Sequence, residues 1–300
     1  MRLKIDQLSK TFNQTQAVKD VSFTLEAGNC FALLGPNGAG KTTTLRMLSG
    51  LLKPTSGTID FEGFTGHDIR EKIGYLPQYP SFYGWMSGKE FLVYVGQLAA
   101  LSKQESIKRA DSLLELVGIT KAKHRRISKY SGGMKQRLGI AQAMIHQPSL
   151  IMLDEPVSSL DPIGRREVLN LMEALKEKTT ILFSTHILSD AEEISDGLIL
   201  MHEGRVLEQG LLTELHEKYQ SQKIELSFKA FSENQLAVLS ALPGIREVTP
   251  SRTGLTCFIN DPILARQSIL AKTIEENWQL NQFSLAKMTL EEMFMEVIGQ

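Results

Sequence analysis

Cys30-Phe31-Ala32-Leu33-Leu34-Gly35-Pro36-Asn37-Gly38-Ala39-Gly40-Lys41-Thr42 is the stretch whose reading decides the fold. Its first five residues form a short continuous apolar run, which suits a strand buried on both faces. Residues 35–42 then fit the Walker A pattern G-x-x-x-x-G-K-[ST], and Thr43 to Leu48 continue as a helical stretch. Strand, loop and helix in that order are the context this pattern requires. The glycines let the backbone wrap a phosphate without Cβ clashes, with N–H groups pointing inward. The helix N-terminus adds positive dipole. Lys41 is placed for β- and γ-phosphates, and the Thr42 hydroxyl for Mg²⁺.

Two more apolar runs repeat the theme. Leu150-Ile151-Met152-Leu153 is followed by Asp154-Glu155, and Thr180-Ile181-Leu182-Phe183 by Ser184-Thr185-His186. Helical patterns lie between the runs at 88–101, 103–117, 132–146 and 163–177. Strands alternating with helices of this length suggest a parallel sheet in an α/β layer. The polar ends of the runs would gather at one edge of that sheet, where such folds bind ligands. There Asp154 is suited to hold Mg²⁺ through water and Glu155 to polarise an attacking water. Read alone, Asp154 is equally a helix cap and Glu155 a solvated acid.

Three further stretches bear on the chemistry. Tyr130-Ser131-Gly132-Gly133-Met134 precedes a helix, with Ser131 as N-cap and two glycines that leave backbone N–H groups open. A capped helix explains Ser131 but not the tandem glycines, which read as a second anion site in a chain with one Walker A loop. Ser158-Ser159-Leu160-Asp161-Pro162, after the acids, reads on its own equally as part of the site or as a plain helix start, with Asp161 as cap and Pro162 in the first turn. His186, at a strand end, reads on its own as a satisfied structural residue.

Together these residues resemble the nucleotide-binding subunit of an ABC transporter over about residues 1–218. The resemblance makes 35–42 the Walker A loop and Gln78, in Tyr75-Leu76-Pro77-Gln78, the Q-loop glutamine. It makes Ser131-Gly132-Gly133-Met134 the family motif, 150–154 Walker B, 158–161 the D-loop and His186 the H-loop. Phe12 stands where the family stacks an aromatic ring on adenine. Two departures are small: Met134 replaces a glutamine, and Phe12 replaces a tyrosine but still offers a ring face. The fold implied is an α/β P-loop NTPase of ABC type, a mixed-sheet core with a helical subdomain. ATP and Mg²⁺ are the implied cofactors. The implied nucleotide-binding set is Phe12, Gly35 to Thr43, Gln78, Ser131, Gly132, Gly133 and Asp161. Thr42, Gln78 and Asp154 would serve the metal, and Glu155 and His186 the chemistry. The implied partners are a second copy, head to tail, and membrane-spanning permease subunits contacted by the Gln78 loop. The implied location is peripheral, on the cytoplasmic face of the cell membrane.

A change of character comes near 212–223, where a short helix gives way to a polar tether. From Lys223 the pattern restarts as strand 223–228, helix 232–242, strands near 245–249 and 254–259, helix 262–276, strand 279–285 and helix 289–298. This β-α-β-β-α-β order predicts a small ferredoxin-like α+β domain over 219–300. Leu290-Glu291-Glu292-Met293-Phe294-Met295-Glu296-Val297 resembles the tail of ATPase subunits of certain drug, ion and polysaccharide exporters, which is what points to export.

Composition sets the outer bounds. The 300 residues carry 33 Lys plus Arg against 34 Asp plus Glu, a net charge of −1. That leaves no basic excess to hold a nucleic-acid backbone, so no nucleic acid partner is expected. Cys30 and Cys257 are too few for a disulfide framework, which favours a reducing compartment. No apolar stretch approaches the ~20 residues of a membrane helix. The competing class is a soluble ABC ATPase of translation or DNA repair. Translation-type members carry two such domains, and repair-type members insert long coiled coils. Here one domain is present, and only 88 residues (43–130) separate the two phosphate motifs.

Overall fold

The computed structural model describes residues 2–64, 68–219, 223–228, 232–251, 254–285 and 289–298. The chain divides into two compact units: residues 214–295 form one, and the residues before 214 together with those from 296 on form the other.

In the first unit, a six-stranded sheet runs in the order β5 (Ile73–Leu76), β6 (Leu150–Asp154), β7 (Thr180–Thr185), β3 (Cys30–Leu34), β8 (Gly197–His202), β9 (Arg205–Leu211). Every pairing is parallel except β8 with β9. All residues of β3, β6 and β7 are buried, as expected of apolar runs covered on both faces. The register sets Leu34 opposite Thr185 and Asp154 opposite Ser184. Gly35, Asp154 and Ser184 to His186 therefore share the carboxyl edge of the sheet, as the sequence predicts.

A second, antiparallel sheet joins β2 (Thr15–Glu26), β1 (Arg2–Phe12) and β4 (Ser56–Phe61). Here only one face is covered, so Leu3, Ile5, Val21, Phe23 and Leu25 alternate with exposed residues. Their side chains join Leu33, Leu45, Leu48, Leu182 and Ile199 in one core. Each such aliphatic side chain contributes about 1.5–3 kcal/mol on burial.

Helix α1 (Lys41–Leu48) follows β3 directly. Helices α2 (Gly88–Leu98), α3 (Lys103–Leu116) and α4 (Gly132–Met144) form the helical subdomain between β5 and β6. A capping box of Ser87 and Glu90 starts α2, and Ser102 caps α3. The predicted helix 88–101 ends at Leu98, since Ala100 adopts a φ of 62° and closes the helix. Helix α5 (Pro162–Lys176) starts at an Asp161 cap with Pro162 in its first turn, and α6 (Leu188–Ile194) follows His186.

The sequence reading missed β5, β8 and β9. Strand β5 is four residues long and contains Gly74, where a Cβ would lie 2.1 Å from the Ala143 carbonyl oxygen. The close seating of α4 on the sheet thus explains a glycine that otherwise reads as a breaker.

Helix α7 (Leu212–Lys218) spans the break between the units. The second unit holds β10 (Lys223–Phe228), α8 (Glu233–Ser240), β11 (Ile245–Ser251), β12 (Gly254–Ile259), α9 (Pro262–Glu275) and β13 (Leu280–Leu285), followed by α10 (Leu290–Ile298), which lies in this unit as far as Met295. Its antiparallel sheet runs β11-β12-β10-β13, the ferredoxin-like order expected from the sequence. Ile224, Leu226, Leu255, Ile259 and Ile269 are its core, with Trp278 edge-on to Phe228 at 6.0 Å between ring centroids. Both cysteines are free and buried, and burial pushes both thiols up, that of Cys257 to about 12.

Candidate active site

The Walker A loop surrounds a cavity of about 270 Å³ lined by residues 37–43 with Ala17, Gln78 and Glu155. A larger groove of about 790 Å³ lies beside α3, Met144 and Lys178, and none of the predicted site residues line it. The chemistry gathers at the smaller one.

Gly40 sets the loop's shape. Its φ is 101°, and a Cβ there would lie 2.7 Å from the Ala17 carbonyl oxygen. No side chain caps α1 and no acid occupies its first turn, so its N-terminal amides remain available to an anion. Lys41 is only 6% exposed. Its Nζ donates to the carbonyl oxygens of Gly35 (2.7 Å) and Pro36 (3.2 Å) and lies 3.4 Å from Glu155 Oε1. The loop thus folds around the one cation aimed into it.

The two acids sit side by side but are held differently. Asp154 Oδ1 accepts from Thr42 Oγ1 at 3.1 Å and from Ser184 Oγ at 2.7 Å. The Tyr75 hydroxyl makes a long 3.5 Å contact to Asp154 Oδ2. Burial, with the Asp154 charge beside it, pushes that phenol up to about 12. Glu155, 7% exposed, has its carboxylate between Lys41 and His186, whose Nδ1 lies 2.8 Å from Glu155 Oε2. His186 is partly open to solvent. A lysine, a glutamate and a histidine in contact at a phosphate loop can bind an anion and manage a proton beside it.

Thr42 hydroxyl, Asp154 carboxylate and Gln78 amide make an all-oxygen donor set, which suits a hard dication such as Mg²⁺. Among the described residues no three His, Cys, Asp or Glu side chains form a metal cage. Mg²⁺ needs none, because it is usually bound through one or two carboxylates together with substrate phosphates and keeps several waters.

The remaining predicted residues are not brought to this cavity within one chain. Ser131 accepts from the Met134 amide at 3.2 Å and caps α4. Asp161 accepts from the Gly164 amide at 2.7 Å and caps α5. Phe12 is 45% exposed at the end of β1, with Lys10 Nζ 5.2 Å from its ring centroid. Sequence reasoning missed Ala17, Tyr75 and Ser184. Only Ser184 left a legible signal, as a polar residue closing an apolar strand.

Residues 18–158 match the family model of the ABC transporter, and residues 210–298 that of the ATP-binding protein DrrA1-3-like C-terminal domain. The uncharacterized ABC transporter ATP-binding protein YxlF of Bacillus subtilis is 45% identical over 99% of each chain. The daunorubicin/doxorubicin resistance ATP-binding protein DrrA of Streptomyces peucetius is 34% identical over 97% of this chain and 91% of its own. A dimeric ATP-binding cassette solved in a post-hydrolysis state with ADP and Pi superposes with a TM-score of 0.63 at 26% identity, covering 70% of this chain and 98% of that one. A phosphate loop with its lysine, paired acids and a histidine on this sheet, joined to these similarities, makes the chain a member of the ABC transporter family, an ATP-hydrolysing subunit.

Proposed function

We propose that two copies of this subunit close head to tail on ATP and power export through a separate membrane-spanning permease, from a peripheral position on the cytoplasmic face of the membrane. The observation that carries the dimer is Gly132. A Cβ built there meets nothing within 4 Å, and one on Gly133 meets only Gly164 Cα at 4.0 Å. Both residues lie in the first turn of α4, where alanine would serve the helix at least as well. No neighbour among the described residues requires them, so they keep a surface bare for close approach from outside. A phosphate held by the Walker A loop of another copy fits that surface.

Each residue then has a task. Lys41 leaves Glu155 for the β- and γ-phosphates, and residues 38–43 supply amide donors. Ser131 and the glycine amides meet the γ-phosphate from the second copy, and Asp161 links the two sites. Phe12 stacks on adenine. Mg²⁺, held by Thr42, Asp154 and Gln78, would neutralise phosphate charge. Glu155 takes the proton of the attacking water, and His186 holds the Glu155 carboxylate and the γ-phosphate in line.

The permease reading rests on the loop after Gln78. Tyr79, Tyr83 and Trp85 are 76%, 50% and 71% exposed, and Tyr83 packs on Trp85 and Tyr94 at 6.2 and 5.9 Å. An exposed aromatic cluster beside a phosphate-sensing glutamine marks a protein contact. Among the described residues no helix is long and apolar enough to cross a membrane. Export is favoured by the resistance function in the name of the DrrA relative and by the matching C-terminal domain.

Gly132→Leu tests the dimer. The variant should fold normally, since leucine is the better helix former and the space is open. Monomer binding of a fluorescent ATP analogue should be unchanged, while hydrolysis falls by about tenfold or more, ~1.4 kcal/mol. Wild-type hydrolysis in a folded Gly132→Leu chain defeats the head-to-tail reading.

The ATP-binding domain is proposed as residues 1–218 and the accessory domain as 219–300. A chain ending at Lys218 keeps all of the six-stranded sheet and α7. It should be soluble and bind ATP as the full chain does; an insoluble product or lost nucleotide binding counts against the boundary.

A further inference from the structure

Ser184 lies in β7 and is wholly inaccessible to solvent. A buried hydroxyl is costly unless its hydrogen-bonding capacity is used. Here both directions are used, and on two consecutive acids. Its Oγ donates to Asp154 Oδ1 at 2.7 Å and accepts from the Glu155 amide at 2.9 Å. One hydroxyl therefore grips the side chain of Asp154 and the main chain of Glu155.

The Glu155 backbone needs such a grip. Its φ is 49°, in the left-handed region that non-glycine residues avoid. The far side of the same residue is held as well, because its carbonyl oxygen accepts from the Ser158 amide at 3.3 Å and Ser158 Oγ at 3.1 Å. The turn made this way delivers the Glu155 carboxylate to Lys41 and His186. Without the Ser184 hydroxyl, the Glu155 amide would be buried with no acceptor, and Asp154 Oδ1 would keep Thr42 alone.

We infer that Ser184 is a positioning residue of the hydrolytic site: its hydroxyl fixes the Asp154 carboxylate for the metal and the Glu155 turn for the attacking water. Being wholly buried, it acts through Asp154 and Glu155. The inference rests on the roles proposed above for Asp154 and Glu155. Asp154 binds the metal only if its oxygens point correctly, and the loss of such outer support costs ten- to a hundredfold in metal affinity. Glu155 acts on water only within hydrogen-bond reach. A single hydroxyl setting both ties metal loading to base placement.

Ser184→Ala in the full chain tests this, with Ser184→Cys as a near-isosteric variant whose thiol is a weak donor. Three readouts are taken: binding of a fluorescent ATP analogue without Mg²⁺, the same binding as free Mg²⁺ is titrated, and steady-state hydrolysis. Ser184→Ala should bind the analogue without Mg²⁺ within twofold of wild type. Its Mg²⁺ midpoint should rise about tenfold. Its kcat at saturating Mg²⁺ should fall about tenfold with KM for ATP unchanged. Ser184→Cys should lie between. A role in packing alone would lower the melting temperature and leave the Mg²⁺ midpoint and kcat where they were, and that result overturns the inference. Should Ser184→Ala fail to fold, the Cys variant decides by the same readouts, wild-type values counting against. Asp154→Asn and Glu155→Gln run alongside. If these two leave Mg²⁺ dependence and rate untouched, the reading of the site has failed; if they alter both and the Ser184 variants do not, only the role of Ser184 falls.

Discussion

Lys41→Ala is expected to lose hydrolysis by about 10²–10³-fold, the scale for removing one donor aimed at developing charge in an enclosed site. Lys41 is the one cation in the Walker A loop, and it is held by two carbonyl oxygens and Glu155 rather than by solvent. That arrangement presets it for phosphate oxygens at little cost in side-chain entropy. Arginine is no substitute, since its planar fork does not fit a site built for a compact ammonium. The substitution also touches stability. It leaves the nearly buried Glu155 carboxylate without its lysine and with the His186 contact, and orphaning one member of a buried pair costs about 3–5 kcal/mol in closed interiors. The cavity here admits water, so the loss should be smaller. The double variant Lys41→Ala/Glu155→Gln separates the two effects. It should regain most of the lost melting temperature, because no unpaired carboxylate remains, and hydrolysis should remain lost. Full ATPase activity in folded Lys41→Ala would remove the Walker A assignment.

How much of this was legible in the sequence depended on whether local pattern or distant pairing carried the signal. Residues 35–42 could be read because a buried strand, a glycine-rich turn and a helix follow one another in the chain. The whole second unit could be read for the same reason, each strand and helix having its own period and its own stop. Strand β9 could not. It is an edge strand on which partly buried and exposed residues alternate without one fully buried position, so its apolar signal is faint. Strand β8 is fully buried over its first five residues, yet a short apolar run reads equally as strand or helix until a neighbour pairs with it. At the site, Ala17 and Tyr75 were invisible because one matters through its backbone and the other through a strand that went unread. Asp161 and Ser131 show the opposite case. Their local capping roles, legible from the sequence, are what a single chain displays, and the further roles proposed for them need a second copy.

Glu155→Gln is the sharper experiment, since size and hydrogen bonding are kept and only the charge goes. The variant residue can still meet His186 and occupy the same turn, whose main chain is held by Ser184 and Ser158. Phosphate binding should survive, because Lys41, the loop amides and Ser131 carry it. It should tighten somewhat, because a negative charge 3.4 Å from Lys41 Nζ has been removed from an anion site. Hydrolysis should fall by about 10²–10⁴-fold, the usual contribution of a positioned base. These two effects together give a result that neither gives alone. ATP that binds and is not cleaved stays between the subunits, so the variant should run as a dimer on size-exclusion chromatography with MgATP and as a monomer with MgADP. Wild type, which consumes its ATP, should show dimer only transiently. Adding Gly132→Leu to Glu155→Gln should abolish the trapped dimer without abolishing nucleotide binding, because it fills the surface against which the second copy's phosphates would rest. A Glu155→Gln chain that binds ATP tightly and stays monomeric would count against the head-to-tail arrangement for the isolated subunit. One that hydrolyses ATP at the wild-type rate would take Glu155 out of the chemistry and leave His186, 2.8 Å away, as the group to carry it.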